Sequence, residues 1–258
     1  MRILLNLEYD GTDYCGWQRQ KNGYAVQQAV EEALEKLPGH FSGLTGAGRT
    51  DAGVHALGQC AHVDYAGPIP PEKLFLALNG TLPGDVRATA SRRVLDGFHA
   101  RYDALGKTYQ YRAWNGTVPS AVFRSTAGFV QGKLDVQCMD RAGQKLVGTH
   151  DFSAFQSTGR PVRSAVRTVT ELRVLREDGF VVVRISADGF LYNMVRIIAG
   201  TLFEIGKGRL KPEVLEDALV RGDRDLLGPT AAPEGLILLH VCYSEAKMGQ
   251  NILTGREG

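Results

Sequence analysis

The chain has 258 residues, room for one large domain or two ordinary ones, and 43% hydrophobic residues suffice for buried cores. A net charge of +2 excludes a uniformly basic, polyanion-coating protein, so any nucleic-acid surface must come from clustered Arg. Four scattered cysteines without a C-x-x-C pair exclude a disulfide framework and a zinc-ribbon motif. The N-terminus is too short and too alternating for a signal peptide, and no run nears the ~20 apolar residues that cross a bilayer. The expectation is a soluble, cytoplasmic protein.

Residues 2–9 alternate as a strand, and a loop rich in Gly, Asp, Tyr and Trp follows over 10–24. Val26, Ala29, Val30, Ala33, Leu34 and Leu37 recur at helical spacing until Pro38-Gly39 stops them. Strands are expected over 41–46 and 57–65, a helix opening at Pro70-Pro71-Glu72 and running to Leu78, and a strand over 86–94. The order β-α-β-β-α-β is the split βαβ, ferredoxin-like pattern. From 104 onward the pattern restarts. A strand over 107–114 precedes a helix over 135–147, and a hairpin over 166–176 and 180–187 turns at Glu177-Asp178-Gly179. Leu191, Met194, Val195, Ile198, Leu202 and Ile205 mark an apolar helical stripe; a short helix over 212–220 and a strand over 236–243 close the half.

The expected fold class is therefore α+β, two ferredoxin-like or RRM-like units whose mostly antiparallel sheets join. The units are 1–103 and 104–244, and residues 245–258 lack periodicity and read as a mobile tail. The first unit is slightly acidic and the second slightly basic, with Arg more than twice as common as Lys overall.

Between two of the strands lies Gly46-Ala47-Gly48-Arg49-Thr50-Asp51-Ala52-Gly53-Val54-His55. Its glycines allow tight turning and close approach to a ligand. Taken alone, Asp51 in such a loop is a turn former or a cap, and Arg49 a partner for an ordinary loop ion pair.

The words around Asp51 change that reading. GRTDAGVH resembles the catalytic signature of the tRNA pseudouridine synthase A family. The opening Tyr9-Asp10-Gly11-Thr12 to Gly16-Trp17-Gln18-Arg19-Gln20 is similar to the family's Y-D-G-T-x-Y-x-G-W-Q-x-Q. Phe98-His99-Ala100-Arg101-Tyr102 resembles its F-H-A-R-(F/Y) segment and Lys107-Thr108-Tyr109-Gln110-Tyr111 its K-x-Y-x-Y strand. Phe190-Leu191-Tyr192-Asn193-Met194-Val195-Arg196 resembles the start of its F-L-x-x-M-V-R helix, and Ala232-Pro233-Glu234-Gly235-Leu236 its closing segment. The resemblance runs from about residue 3 to 243.

The resemblance implies conversion of uridine to pseudouridine at positions 38–40 of the tRNA anticodon stem-loop, by a homodimer, with tRNA as partner. The reaction is an isomerisation, so no cofactor is expected. By the same resemblance Asp51 is the nucleophile, Tyr109 stacks on the target base, Arg196 pairs with Asp51 across the seam between the units, and Arg49 fills the gap left by the flipped uridine. Base stacking on an aromatic contributes about 1–3 kcal/mol, and extruding a base costs a few. For tRNA contact the candidates are Phe98, His99, Ala100, Arg101 and Tyr102, then Gln156, Ser157, Thr158, Gly159 and Arg160, followed by Arg163 and Arg167, because basic, glycine-containing loops grip phosphate through Arg forks and backbone N–H groups.

Two other classes compete. A catalytically silent pair of RRM-like sheets would bind RNA, but the chain lacks the RNP1 octamer. A metallohydrolase would use Asp51 and His55; with Cys60 and His62 there are three soft ligands and no fourth, so no metal is expected.

Overall fold

The computed structural model describes residues 1–159 and 162–248. The first half follows the expected order: β1 (Arg2–Tyr9), α1 (Val26–Glu35), β2 (His40–Gly46), β3 (His55–Ala66), α2 (Leu74–Asn79, entered through a short 3-10 turn at Pro71–Lys73) and β4 (Val86–Val94). The second half comprises β5 (Ala104–Trp114), β6 (Gly128–Phe129), α3 (Val136–Gln144), β7 (Gly148–Asp151), β8 (Val166–Glu177), β9 (Phe180–Ala187), α4 (Met194–Gly206), α5 (Val214–Arg221) and β10 (Leu236–Tyr243). The last element, α6 (Glu245–Met248), is a one-turn helix where the sequence suggests a structureless tail; residues 249–258 lie outside the described part. Its Lys247 reaches Asp103 at 3.2 Å, and Met248 packs on the cluster around Phe98.

All strands belong to one mixed sheet with the path β4-β1-β3-β10-β5-β9-β8-β7; β2 adds to β3 and β6 to β5. Pairing is antiparallel except for β10 on β3 and β6 on β5. β10 is the junction. It runs antiparallel to β5 through Leu236↔Tyr111 and Leu238↔Tyr109, and meets β3 at Ile237↔His55 and Leu238↔Ala56. The chain's last long strand thus slots between the two halves.

Strand alternation sets which face is buried. Ile3, Leu5 and Leu7 of β1 share a core with Val26, Ala29 and Val30 of α1, while Tyr109, Tyr111 and Ala113 of β5 and Val181, Val183 and Ile185 of β9 pack with Ile198 and Leu202 of α4. The β8–β9 hairpin turns on Asp178 (φ 44) and Gly179 (φ 83), the two positive-φ residues that suit a tight hairpin. No helix among the described residues is long and apolar enough to cross a membrane.

Candidate active site

The loop between β2 and β3 is held from below by the aromatic loop after β1. Trp17 N donates to Thr50 O at 3.1 Å, Gly53 N to Tyr14 O at 3.4 Å, and Ala47 N to Cys60 O at 2.7 Å. Gln59 Nε2 donates to Gly48 O at 3.0 Å, and the Tyr9 hydroxyl lies 2.8 Å from Thr50 Oγ1. Gly16 is required here. Its φ is +106°, it bridges to Asp51, and a Cβ on it would stand 2.5 Å from Thr50 O. Two segments far apart in sequence are thereby locked into one rigid mount for Asp51.

Above that mount opens a cavity of about 450 Å³ lined by Arg49 and Asp51 from the loop, Arg101, Lys107 and Tyr109, Gly159, Val162 and Arg167, and the Phe190–Val195 stretch that leads into α4. Both halves of the chain contribute, and Leu236 of β10 lies between them. Among the described residues, four cations and one carboxylate line the cavity. Such a cavity suits a polyanion whose reacting centre must meet Asp51.

Tyr109 is almost wholly buried, and burial, with smaller contributions from Tyr9 and Asp51, pushes its phenol well above the usual range. The hydroxyl therefore stays protonated at neutral pH. Phe190 meets the Tyr109 ring edge-on, with centroids 5.1 Å apart at 85°, forming an aromatic corner beside Asp51. Tyr111, two residues on, is buried against Phe203 of α4 and away from the cavity lining, as expected for a structural residue.

Arg196 is oriented differently from the expectation. Among the described residues it forms no ion pair with Asp51; its Nε donates to Ala231 O at 2.7 Å and its Nη1 to Asn193 Oδ1 at 2.9 Å. The space beside Gly200, one turn beyond Arg196, is taken by the backbone of Pro229. Asn193, which no sequence argument singled out, sits at φ 62, a left-handed conformation uncommon outside glycine, and donates from Nδ2 to Ser157 Oγ at 3.0 Å. Arg196, Asn193 and Ser157 therefore form a polar chain from α4 to the 156–159 loop along the cavity wall.

The expected RNA-contacting residues divide. Phe98 and Ala100 are buried and so cannot offer side chains to RNA: Phe98 packs on Tyr243 at 5.1 Å, and Ala100 donates its N–H to His62 Nδ1 at 3.0 Å. His99 is half-buried, stacked near His62 and Tyr102, while Arg101 and Tyr102 are exposed. Gln156 and Ser157 are half-buried, Thr158, Gly159 and Arg163 exposed, and Arg160 lies outside the described residues. Of the residues weighed as metal ligands, His55 accepts from Gly11 N at 3.1 Å and His62 from Ala100 N. Among the described residues no His, Cys, Asp and Glu side chains cluster in a way that could hold a metal.

Arg49 is exposed at the rim and makes no ion pair with Asp51 among the described residues, so the ordinary loop-pair reading does not hold. Sequence reasoning also passed over Phe190 and Lys107 as cavity residues, while Arg167, expected as an RNA contact, lines the cavity. The alternation in β5 that puts Tyr109 inward puts Lys107 on the same face and was the available signal.

Comparison with known proteins adds the following. The chain matches the family model described as tRNA pseudouridine synthase over residues 7–103 and 142–244. It is 46% identical over 241 residues to tRNA pseudouridine synthase A of Acetivibrio thermocellus, covering 93% of this chain and 99% of that protein. The namesake from Ruminiclostridium cellulolyticum is 44% identical over 243 residues, with 94% and 99% covered. That from Thermoanaerobacter sp. (strain X514) is 43% identical over 241 residues, with 93% and 99% covered.

Proposed function

The chain belongs to the tRNA pseudouridine synthase family, and from that premise we propose that Asp51 is the nucleophile with which it isomerises uridine at positions 38–40 of the anticodon stem-loop. The activity itself is isomerisation of uridine to pseudouridine in tRNA; the silent RNA-binding alternative is not favoured. The observation that carries the Asp51 assignment is the meeting, in one cavity fed by both halves of the chain, of Asp51 with the buried Tyr109–Phe190 corner and a ring of cations.

In this reading a uridine is turned out of the stem-loop, at a cost of a few kcal/mol, and Arg49 at the rim occupies the vacated space. The uracil ring lies against Tyr109 and Phe190. The Asp51 carboxylate attacks C1′; the C1′–N1 bond breaks and its electron pair departs with N1, so the base is released as an anion. The base turns, C5 bonds to C1′ as the carboxylate leaves, and the proton on C5 is lost while N1 gains one. Atoms balance without oxidant or cofactor. Arg196 acts as a positioning residue, holding the Asn193 turn and the Ala231 strap that frame the cavity. Arg101, Tyr102 and Arg163, exposed beside the opening, grip the RNA.

The same reading includes a homodimer, for which exposed Leu57 and Leu105 offer apolar area, and a cytoplasmic location, where tRNA is found. Sedimentation of the purified chain would decide the first. The decisive experiment for function is mass spectrometry of an anticodon stem-loop carrying 5-deuterated uridines at 38–40. Conversion releases the label, so the product becomes lighter by about 1 mass unit for each site turned over. A stem-loop that keeps its label under excess enzyme would overturn the reading.

A further inference from the structure

Of the described cavity cations that the proposed mechanism leaves without a task, Arg167 is held by hydrogen bonds to Ser164 O and Val166 O, and the other is Lys107. It sits on β5 two residues before Tyr109, and strand alternation sends both side chains to one face. Both line the cavity with Asp51. Its ammonium lies against the signature loop, 3.3 Å from where a Cβ on Gly48 would stand. Among the described residues the side chain makes no ion pair and no hydrogen bond. A half-buried cation that pairs with no anion among the described residues is costly to keep, and a core or surface lysine ordinarily avoids the situation by snorkelling or pairing.

Resting on the reading that Asp51 opens the C1′–N1 bond, we propose that the Lys107 ammonium is a catalytic group that stabilises the uracil anion between bond breaking and re-attachment through C5. The step leaves a full negative charge spread over N1, O2 and O4 of the base, in a cavity that excludes much of the water which would otherwise solvate it. A fixed cation already in place there lowers the barrier because it requires no reorganisation as the charge develops. Lys107 stands beside both the loop that carries out the attack and the aromatic that holds the base. It keeps its proton throughout; nothing is transferred.

The electrostatics agree. Burial, then the guanidinium groups of Arg101 and Arg167, bring Lys107 down to about 8, with Cys60 acting weakly the other way. Among the described residues, the groups facing it are Arg49 and Asp51 from the signature loop, Cys60 from β3, Arg101 from the 98–102 segment, Arg167 from β8 and Tyr192 from the stretch before α4, besides Tyr109 on its own strand. The site is short of negative charge until a substrate brings it. A lysine whose proton affinity falls on folding destabilises the fold at neutral pH, and the penalty is relieved as pH rises from about 8 towards its unfolded value of 10.5.

Three measurements on the full chain test this: single-turnover pseudouridine formation on the stem-loop under saturating enzyme, stem-loop affinity with its salt slope, and thermal stability. Lys107→Met should lower the single-turnover rate by about 10²–10³, leave affinity within about threefold, and raise Tm. Lys107→Arg should recover at least a tenth of the rate and abolish the fall expected of the unaltered protein above about pH 8. An unchanged rate in Lys107→Met overturns the proposal. So does a loss of affinity and salt slope at unchanged rate, which makes Lys107 a phosphate clamp. An arginine variant as slow as the methionine one also overturns it, in favour of a proton acceptor. Failure of the underlying reading looks different: the unaltered protein would be inactive, or Asp51→Asn would be active.

Discussion

The Asp51 loop and the 98–102 segment border the same cavity, and they are built on opposite plans. Every stretch of the Asp51 loop is tied down: Ala47 to Cys60, Gly48 to Gln59, Thr50 to Trp17 and Tyr9, Gly53 to Tyr14. The 98–102 segment is anchored to distant elements at Phe98 and Ala100, whereas His99, Arg101 and Tyr102 hydrogen-bond locally, His99 N to Asp103 Oδ2 and the Arg101 and Tyr102 N–H groups to His99 Nδ1. Arg2 Nη1 donates to Phe98 O at 2.7 Å, His62 receives Ala100 N–H, and the Tyr243 hydroxyl donates to Ala100 O at 2.7 Å, while Arg101 and Tyr102 reach into solvent. The difference follows the task. A nucleophile must meet its carbon within fractions of an ångström, and a displacement of 1 Å can cost about a hundredfold in rate. An Arg–phosphate contact decays gently with distance, so reach matters more than rigidity. In the proposed function one region serves chemistry and the other grip.

The largest effect expected from that division is at Asp51. Asp51→Asn keeps the shape and removes the charge, so single-turnover rate should vanish into the background while stem-loop affinity stays within a few-fold. Measurable turnover in the variant would remove Asp51 from the mechanism. Next comes Arg196, whose two hydrogen bonds hold the Asn193 turn and the Ala231 strap. Arg196→Met should slow single turnover about 10–100-fold without weakening affinity. Arg196→Lys should recover little, because an ammonium lacks the fork that reaches Asn193 and Ala231 together. Full recovery by Lys would mean that charge alone matters, and would return Arg196 to an electrostatic partner of Asp51.

What was legible in the sequence follows the same division. The strands β1, β4, β9 and β10 were legible at their bounds, β1 by its alternation, and Asp178-Gly179 announced the hairpin. The glycine-rich signature located the loop that carries Asp51, the proposed nucleophile. The short strands β6 and β7 were missed, because two or four residues carry no period to detect. The early start of β5 was hidden by Gly106, a poor strand former. No local signal revealed that β10 would lie between β3 and β5, since that pairing joins residues some 180 positions apart along the chain. Nor did spacing show that Phe98 and Ala100 face inward while Arg101 and Tyr102 face out; the segment is a turn with neither helical nor strand period. Arg196 was legible as a functional arginine but not in its partners, which depend on the left-handed turn at Asn193.

The anchored half of the 98–102 segment can be probed by acid. His62 is buried and must be neutral at Nδ1 to accept Ala100 N–H. Burial, then the charges of Arg2 and His99, lower it from 6.5 to about 4, with Asp64 opposing. Between those values the folded chain binds fewer protons than the unfolded one, so stability falls as pH falls through the window and the loss is complete below about 4. From about pH 7 to about pH 5 the loss should reach about 2 kcal/mol in urea unfolding. His62→Asn keeps an acceptor that does not titrate and should flatten this slope; an equally steep slope in the variant would place the acid sensitivity elsewhere.

The smallest effect expected is at Arg101, and it sets the two regions against each other most directly. The residue is exposed, its guanidinium lies 5.9 Å from the Tyr102 ring centroid, and it also lines the cavity that holds Asp51. If the 98–102 segment serves grip, Arg101→Ala should weaken stem-loop binding a few-fold and lower the salt slope by about 0.7–0.9, the value for one lost phosphate contact. Turnover at saturating enzyme should be untouched. Arg101→Lys should restore the salt slope, since counterion release depends on charge, and only part of the affinity, since the fork is gone. Arg163→Ala, at another exposed position, should behave alike and add to it, because separate phosphate contacts act independently. The opposite pattern, slower turnover at full saturation with affinity and salt slope unchanged, would move Arg101 from the gripping region into the chemical one, and the line between the two would have to run between Ala100 and Arg101.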